Sequence, residues 1–201
     1  MSIFQSKKVC TEKNYFIIHG TLSSQYGNWF PWLYSKFVDA GESCFVPQFP
    51  TGEHQDYKEW KTVLEGYLNA GYIGPNTVFI THSLGSVFVT RFVVEHKINI
   101  AGIISVAGFN ADGNGDEINN LNKSFLTRER VLKKIANYVK FYHCIYSDND
   151  PYVPLEVEMN FAKLVNAKVH EIEGAGHINA ESGYTEFPFI WELIDKINTI
   201  V

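Results

Sequence analysis

Thr77-Val78-Phe79-Ile80-Thr81-His82-Ser83-Leu84-Gly85 carries an apolar, β-rich run into a turn with a serine at its apex, and Ser83–Glu95 continues as an amphipathic helical stretch. Val78-Phe79-Ile80 is apolar at consecutive positions, and Ile103-Ile104-Ser105-Val106 reads the same way. That is the pattern of strands covered by helices on both faces, so both are predicted at the centre of a sheet. Outward from this stretch, short β-rich runs alternate with longer helical ones. Strands are predicted at Asn14–Ile18, Ser43–Pro47, Thr77–Thr81, Ile100–Val106, Phe141–Tyr146 and Lys168–Ile172. Helices are predicted at Trp29–Ala40, Asp56–Ala70, Ser83–Glu95, Arg128–Val139, Leu155–Leu164 and Phe187–Ile200, with Pro188 suited to a first helical turn. This alternation implies βαβ units: an α/β chain, a three-layer α/β/α sandwich on a mostly parallel six-stranded sheet, with residues 1–201 forming one domain. The stretch Gly108–Leu126 reads as irregular and as a candidate surface flap.

Composition excludes several classes of function. Apolar residues at 45%, charged residues at 19% and aromatics at 15% describe an ordinary packed protein. A net charge of −5, with no run of Lys or Arg, argues against a nucleic-acid partner. Cys10, Cys44 and Cys144 are too few and scattered for a disulfide framework or a zinc site, which fits a reducing cytoplasm. Met1–Asn14 lacks the apolar core of an export signal, and no stretch is long and apolar enough for a membrane span. Asp112-Gly113-Asn114-Gly115-Asp116 imitates the start of a calcium loop, but Glu117 stands where that loop needs glycine and Lys123 where it needs glutamate. No phosphate cradle or dinucleotide fingerprint follows the first strand, so no metal and no cofactor is expected.

In an open α/β sheet, ligands gather at the carboxyl ends of the strands. Four such ends carry polar chemistry: His19-Gly20-Thr21, His82-Ser83-Leu84-Gly85, Asp148-Asn149-Asp150-Pro151 and Gly174-Ala175-Gly176-His177. Ser83 on a sharp strand-to-helix turn is a candidate nucleophile, exposed to both a base and a substrate. His177, in a glycine-bearing loop, is the candidate base, since an imidazole with an ordinary pKa near ~6.5 shuttles protons at neutral pH. The candidate acid is Asp150, stiffened by Pro151 and Pro154, with Asp148 as its competitor. The backbone N–H groups of Leu84 and Thr21 are candidate oxyanion donors. The serine, aspartate and histidine lie in the chain order of α/β-hydrolases. One residue departs from the Gly-x-Ser-x-Gly pattern: Thr81 occupies the place of the first glycine. Among the early aromatics Trp29, Phe30, Trp32, Tyr34 and Phe37, most are expected in the core, with Trp29 or Phe30 available to line an acyl pocket. His19, His54, His96, His143 and His170 are read as structural or solvated.

These motifs, HSLG, SDNDPYVP and GAGHIN, resemble those of the small serine hydrolases of the α/β-hydrolase superfamily, typified by the bacterial YdeN-like proteins and the retinoblastoma-binding-protein-9 group. The resemblance spans Phe16 to about Ile200. It implies a Ser83, Asp150, His177 hydrolase without a large cap domain, in a subgroup whose natural substrates are poorly defined. From the four strand-end motifs, the expected activity is hydrolysis of a carboxylic ester of a small or medium acyl group through an acyl-serine. An amidase or peptidase would use the same residues. A protein-interaction module with a weak or idle site is the reading from another class, motivated by Thr81 and by the lack of a recognisable substrate-pocket signature.

Overall fold

The computed structural model describes residues 13–200, so Cys10 and most of the amino-terminal segment read above lie outside the described residues. Six strands form one sheet: β1 (Asn14–Ile18), β2 (Ser43–Phe45), β3 (Thr77–His82), β4 (Ile100–Val106), β5 (Val139–Ser147) and β6 (Lys168–Ile172). Their order is β2-β1-β3-β4-β5-β6, and every pair is parallel. The helices are α1 (Phe30–Asp39), α2 (Tyr57–Asn69), α3 (Leu84–His96), α4 (Asp116–Asn122), α5 (Glu129–Leu132), α6 (Leu155–Leu164) and α7 (Pro188–Ile200). Among the described residues, no helix is long and apolar enough to cross a membrane.

The period of two in the strands creates the three layers. Tyr15, Ile17, Val78, Ile80 and Ile104 point to one face, where Phe30, Leu33 and Phe37 of α1 and Ile190, Ile194 and Ile197 of α7 cover them. Phe16, Ile18, Phe79 and Ile103 point to the other, beneath Trp60 and Leu64 of α2, Phe88 and Phe92 of α3, and Phe161 of α6. The spacing Tyr57, Trp60, Leu64 is one stripe of a helix, opened by Asp56, whose side chain accepts the Lys58 N–H at 2.8 Å. Helix α3 departs from the amphipathic expectation. It is buried at nearly every position from Leu84 to Val94, because it packs on β3 at the sheet centre beneath α5 and the turn at Lys133–Asn137, with Phe88 against Trp60 of α2.

Several helix and strand ends shift by a single residue from the sequence pattern, and the larger departures are more telling. β2 stops at Phe45, before Pro47, which has no N–H to offer a ladder. The continuous helix expected over Arg128–Val139 is instead the short α5, a 3₁₀ turn at Lys133–Asn137, and a strand beginning at Val139. Buried Leu132 and Ile135 are three apart and satisfy either helix type, while pairing of Val139 with Ile100 draws the chain into the sheet. The irregular stretch Gly108–Leu126 contains α4. The strand order reverses between β1 and β3, which opens a crevice at their carboxyl ends.

The interior contains titratable groups that tie stability to pH. Burial pushes His19 down to about 4, and burial with the neighbouring His177 pushes His82 down to about 3. Burial, reinforced by His170, pushes His143 down to about 4. Between pH ~6.5 and those values the unfolded chain binds protons that the native state refuses, so stability falls as pH is lowered through that window. Glu158 acts oppositely. Its carboxyl is buried without a hydrogen-bond partner among the described residues, and burial together with the charge of Asp150 raises it to about 9. From its ordinary pKa near ~4.5 up to that value the native state retains a proton that the unfolded chain releases, so stability falls as pH rises. Glu158→Gln is therefore expected to remove the alkaline slope and to stabilise the fold at pH 8 by up to about 4 kcal/mol. Urea unfolding of both proteins from pH 6 to 9 tests this; parallel slopes would refute it.

Candidate active site

Ser83 sits at the junction of β3 and α3 with φ 55° and ψ −125°, a conformation that costs a non-glycine residue on the order of 1–3 kcal/mol. A serine that merely capped the helix would adopt extended backbone and accept a first-turn N–H. Ser83 has no such cap bond; its Oγ lies 3.1 Å from His177 Nε2. The turn is tight enough to require two glycines. A β-carbon at Gly20 would stand 2.7 Å from Ser83 Cβ, and one at Gly85 would stand 2.7 Å from the His19 carbonyl oxygen. Thr81 has found room in the place of a glycine because its neighbours are small. Its Oγ1 lies 2.9 Å from Ser86 Oγ, which also accepts from Ser105 Oγ at 2.8 Å, a buried hydroxyl cluster beneath the turn.

The segment after β5 holds the histidine loop. Asp148 Oδ1 accepts the Gly174 N–H at 2.7 Å, Ser147 Oγ accepts that of Ala175 at 2.9 Å, and Asn149 Oδ1 accepts that of Gly176 at 2.7 Å. Three consecutive side chains thus pin three consecutive backbone donors. With that loop fixed, His177 Nδ1 meets Asp150 Oδ2 at 2.6 Å. The other oxygen of Asp150 accepts the N–H groups of Tyr152 at 2.8 Å and Val153 at 3.0 Å, so the carboxylate cannot swing away. The Asp150 side chain is fully buried and that of His177 9% exposed, which shields their bond from water. Asp148, the competing acid, faces Gly174 rather than the imidazole.

Two histidines buttress this arrangement. His82 Nε2 lies 3.0 Å from the His177 carbonyl oxygen, which can only accept, so the proton resides on Nε2. Its ring meets that of His177 edge-on, with centroids 4.8 Å apart. His19 Nε2 accepts the Phe49 N–H at 3.0 Å, which leaves Nδ1 as the donor to the Gly20 carbonyl at 2.9 Å. It braces the loop that carries Thr21. The sequence pattern did not single out His82, Ser147 or Asn149; their adjacency to the motif residues was the available signal.

Thr21 and Ser83 border one cavity of about 280 Å³, along with His177, Phe109 and Asn122. Leu84 begins α3, so its N–H belongs to the first turn, where helical donors lack intrahelical partners. Trp29 and Phe30 do not line the cavity. Both are fully buried, and Trp29 Nε1 donates to the Ile178 carbonyl at 3.0 Å, supporting the histidine loop from behind. Gly108–Leu126 supplies one cavity wall through α4 and the loop before it. Paired bonds between Asn110 and Thr127 and between Gly113 and Asn119 hold that wall in place. His143 and His170 lie far along the chain in β5 and β6, 2.8 Å apart and outside this site. Among the described residues, no group of three or more potential metal ligands is present.

The chain is 26% identical over 185 residues to the YdeN protein of Bacillus subtilis (strain 168), covering 90% of this chain and 94% of that one. The crystal structure of the B. subtilis ydeN gene product superposes with a TM-score of 0.81 at 25% identity, covering 93% of this chain and 99% of that one. Est1E of Butyrivibrio proteoclasticus, solved with ferulic acid bound, shares the fold with a TM-score of 0.64 at 17% identity, covering 91% of this chain and 90% of that one. Residues 15–196 match the model of the serine hydrolase family, and the chain belongs to that family, a hydrolase on the YdeN-like α/β-hydrolase fold.

Proposed function

We propose that this hydrolase cleaves carboxylic esters of small or medium acyl groups through an acyl-enzyme on Ser83. The observation that carries the reading is the continuous line from Asp150 through His177 to Ser83, with bonds of 2.6 and 3.1 Å. Asp150 accepts a hydrogen bond from the Nδ1–H of His177, which leaves Nε2 free to take the Ser83 proton as Oγ attacks the ester carbonyl, and stabilises the imidazolium that forms. The N–H groups of Leu84 and Thr21 receive the developing oxyanion. His177 then protonates the departing alkoxide as the carbon–oxygen bond breaks. A water molecule, deprotonated by the same Nε2, attacks the acyl-serine and releases the carboxylic acid, returning the proton to Ser83.

Thr81 was the residue that favoured an idle, protein-binding site. Its accommodation by Ser86 and Ser105 removes that motive. Labelling of the purified chain by a fluorophosphonate, together with turnover of p-nitrophenyl acetate, is the direct test. A chain that neither labels nor turns over would not be a working hydrolase.

A further inference from the structure

Asn122 is the last residue of α4 and 3% exposed, with its side chain at the cavity wall. Which end of its amide faces its neighbours follows from one backbone group. The Leu22 N–H donates to Gln55 Oε1 at 2.9 Å, so the other end of Gln55 is its NH₂. That NH₂ donates to Asn122 at 3.2 Å, so the receiving atom is Oδ1. The Thr21 hydroxyl donates to the same oxygen at 2.6 Å. Oδ1 is thereby fully engaged and Nδ2 is directed elsewhere. Nδ2 has no protein partner among the described residues and is not sealed from solvent. In so buried a residue, the opening available to it is the cavity.

Charge restricts the occupant further. Glu181 lines the cavity, accepting a hydrogen bond from the Tyr152 hydroxyl at 2.6 Å, and among the described residues no lysine or arginine lines it. A carboxylate entering there would shed hydration beside a like charge without gaining a cation. An uncharged acyl group with an acceptor oxygen would satisfy Nδ2, and Leu22, Phe109, Ile118 and Val153 would cover its carbon atoms. Sites that hydrogen-bond a substrate reject analogues lacking the partner group, because the site's own polar group is then stranded.

We propose that the acyl group of the substrate is uncharged and carries a hydrogen-bond acceptor, a keto, ether or hydroxyl oxygen, received by Asn122 Nδ2. This rests on the ester-hydrolase reading above. The test compares p-nitrophenyl methoxyacetate and levulinate with their apolar isosteres, butyrate and 4-methylpentanoate, on the parent and on Asn122→Asp and Asn122→Leu. Asn122→Asp keeps an oxygen for Thr21 and Gln55 and replaces the donor by a second oxygen, which isolates Nδ2 from its bracing partners, while the uncharged Asn122→Leu controls for the charge that aspartate adds. For at least one acceptor ester, the ratio of kcat/KM to that of the isostere is expected to fall roughly 10-fold or more in both variants. Fluorophosphonate labelling of each variant shows that Ser83 is still functional. If a variant does not fold, the other decides. p-Nitrophenyl hemisuccinate should react at least about 10-fold more slowly than its methyl ester in the parent, and Glu181→Gln should narrow that gap. Unchanged ratios in labelled, active variants, or equal rates for the charged and methylated succinates, would overturn the acyl assignment alone. A parent chain that does not label would overturn the ester-hydrolase reading and this proposal with it.

Discussion

Replacing Ser83 by alanine is expected to lower kcat for a p-nitrophenyl ester by on the order of a millionfold, towards the background rate, and to abolish fluorophosphonate labelling. The Cβ of Ser83 already fits beside Gly20, and alanine keeps it, so the strained turn does not have to reorganise. The hydroxyl makes one hydrogen bond, to His177, so the fold should lose no more than about 1 kcal/mol. Thermal unfolding within a few degrees of the parent, with activity gone, is the combined result expected. A tenfold loss would place the nucleophile elsewhere. Residual activity above water would not contradict the assignment, because the N–H groups proposed to receive the oxyanion and the cavity remain.

The second large effect separates the two aspartates. Asp150→Asn can still accept the Tyr152 and Val153 N–H groups, so the loop after β5 should survive. Its amide NH₂, however, would turn towards His177 Nδ1, which must then accept. The imidazole proton is thereby moved to Nε2, facing Ser83, where a base is needed. A wrong tautomer of this kind lowers kcat by roughly 10⁴-fold. Asp148→Asn removes a charge from a bond to the Gly174 N–H and leaves an oxygen that can accept it. A loss of only a few fold is expected there. Measuring kcat for the two variants side by side is decisive: equal losses, or a greater loss at Asp148, would reverse the assignment of the acid.

Much of this architecture was legible in the sequence because it rests on short-range rules. β1, β4, β6 and α6 follow their predicted bounds, since each is an uninterrupted β-rich or helical run. The positions of Ser83, Asp150 and His177 at strand ends were likewise visible, because a polar residue after an apolar strand of a parallel sheet emerges at the ligand-bearing edge. The helix expected over Arg128–Val139 failed where a local pattern met a distant competitor: Ile100 pairs with Val139. The early aromatics were ambiguous because apolar side chains serve equally in a core or a pocket wall, and only placement in the fold distinguishes buried Trp29, behind the histidine loop, from likewise buried Phe109 at the cavity wall.

The sequence by itself therefore determined the α/β architecture and the inventory of chemically able residues at its crevice. Tertiary structure alone decided how they face one another. Asp148 and Asp150 are of the same type, two positions apart in one loop, and no local property separates them. The bonds from Ser147, Asp148 and Asn149 to Ala175, Gly174 and Gly176 aim one carboxylate at His177 and consume the other. Asn122 belongs with them. Its free donor exists because Thr21 and Gln55, distant from it in the chain, converge on its oxygen, and the Leu22 N–H fixes which end of Gln55 faces it. Hydrogen-bond direction is a property of a network, and a network closes only when the chain has folded.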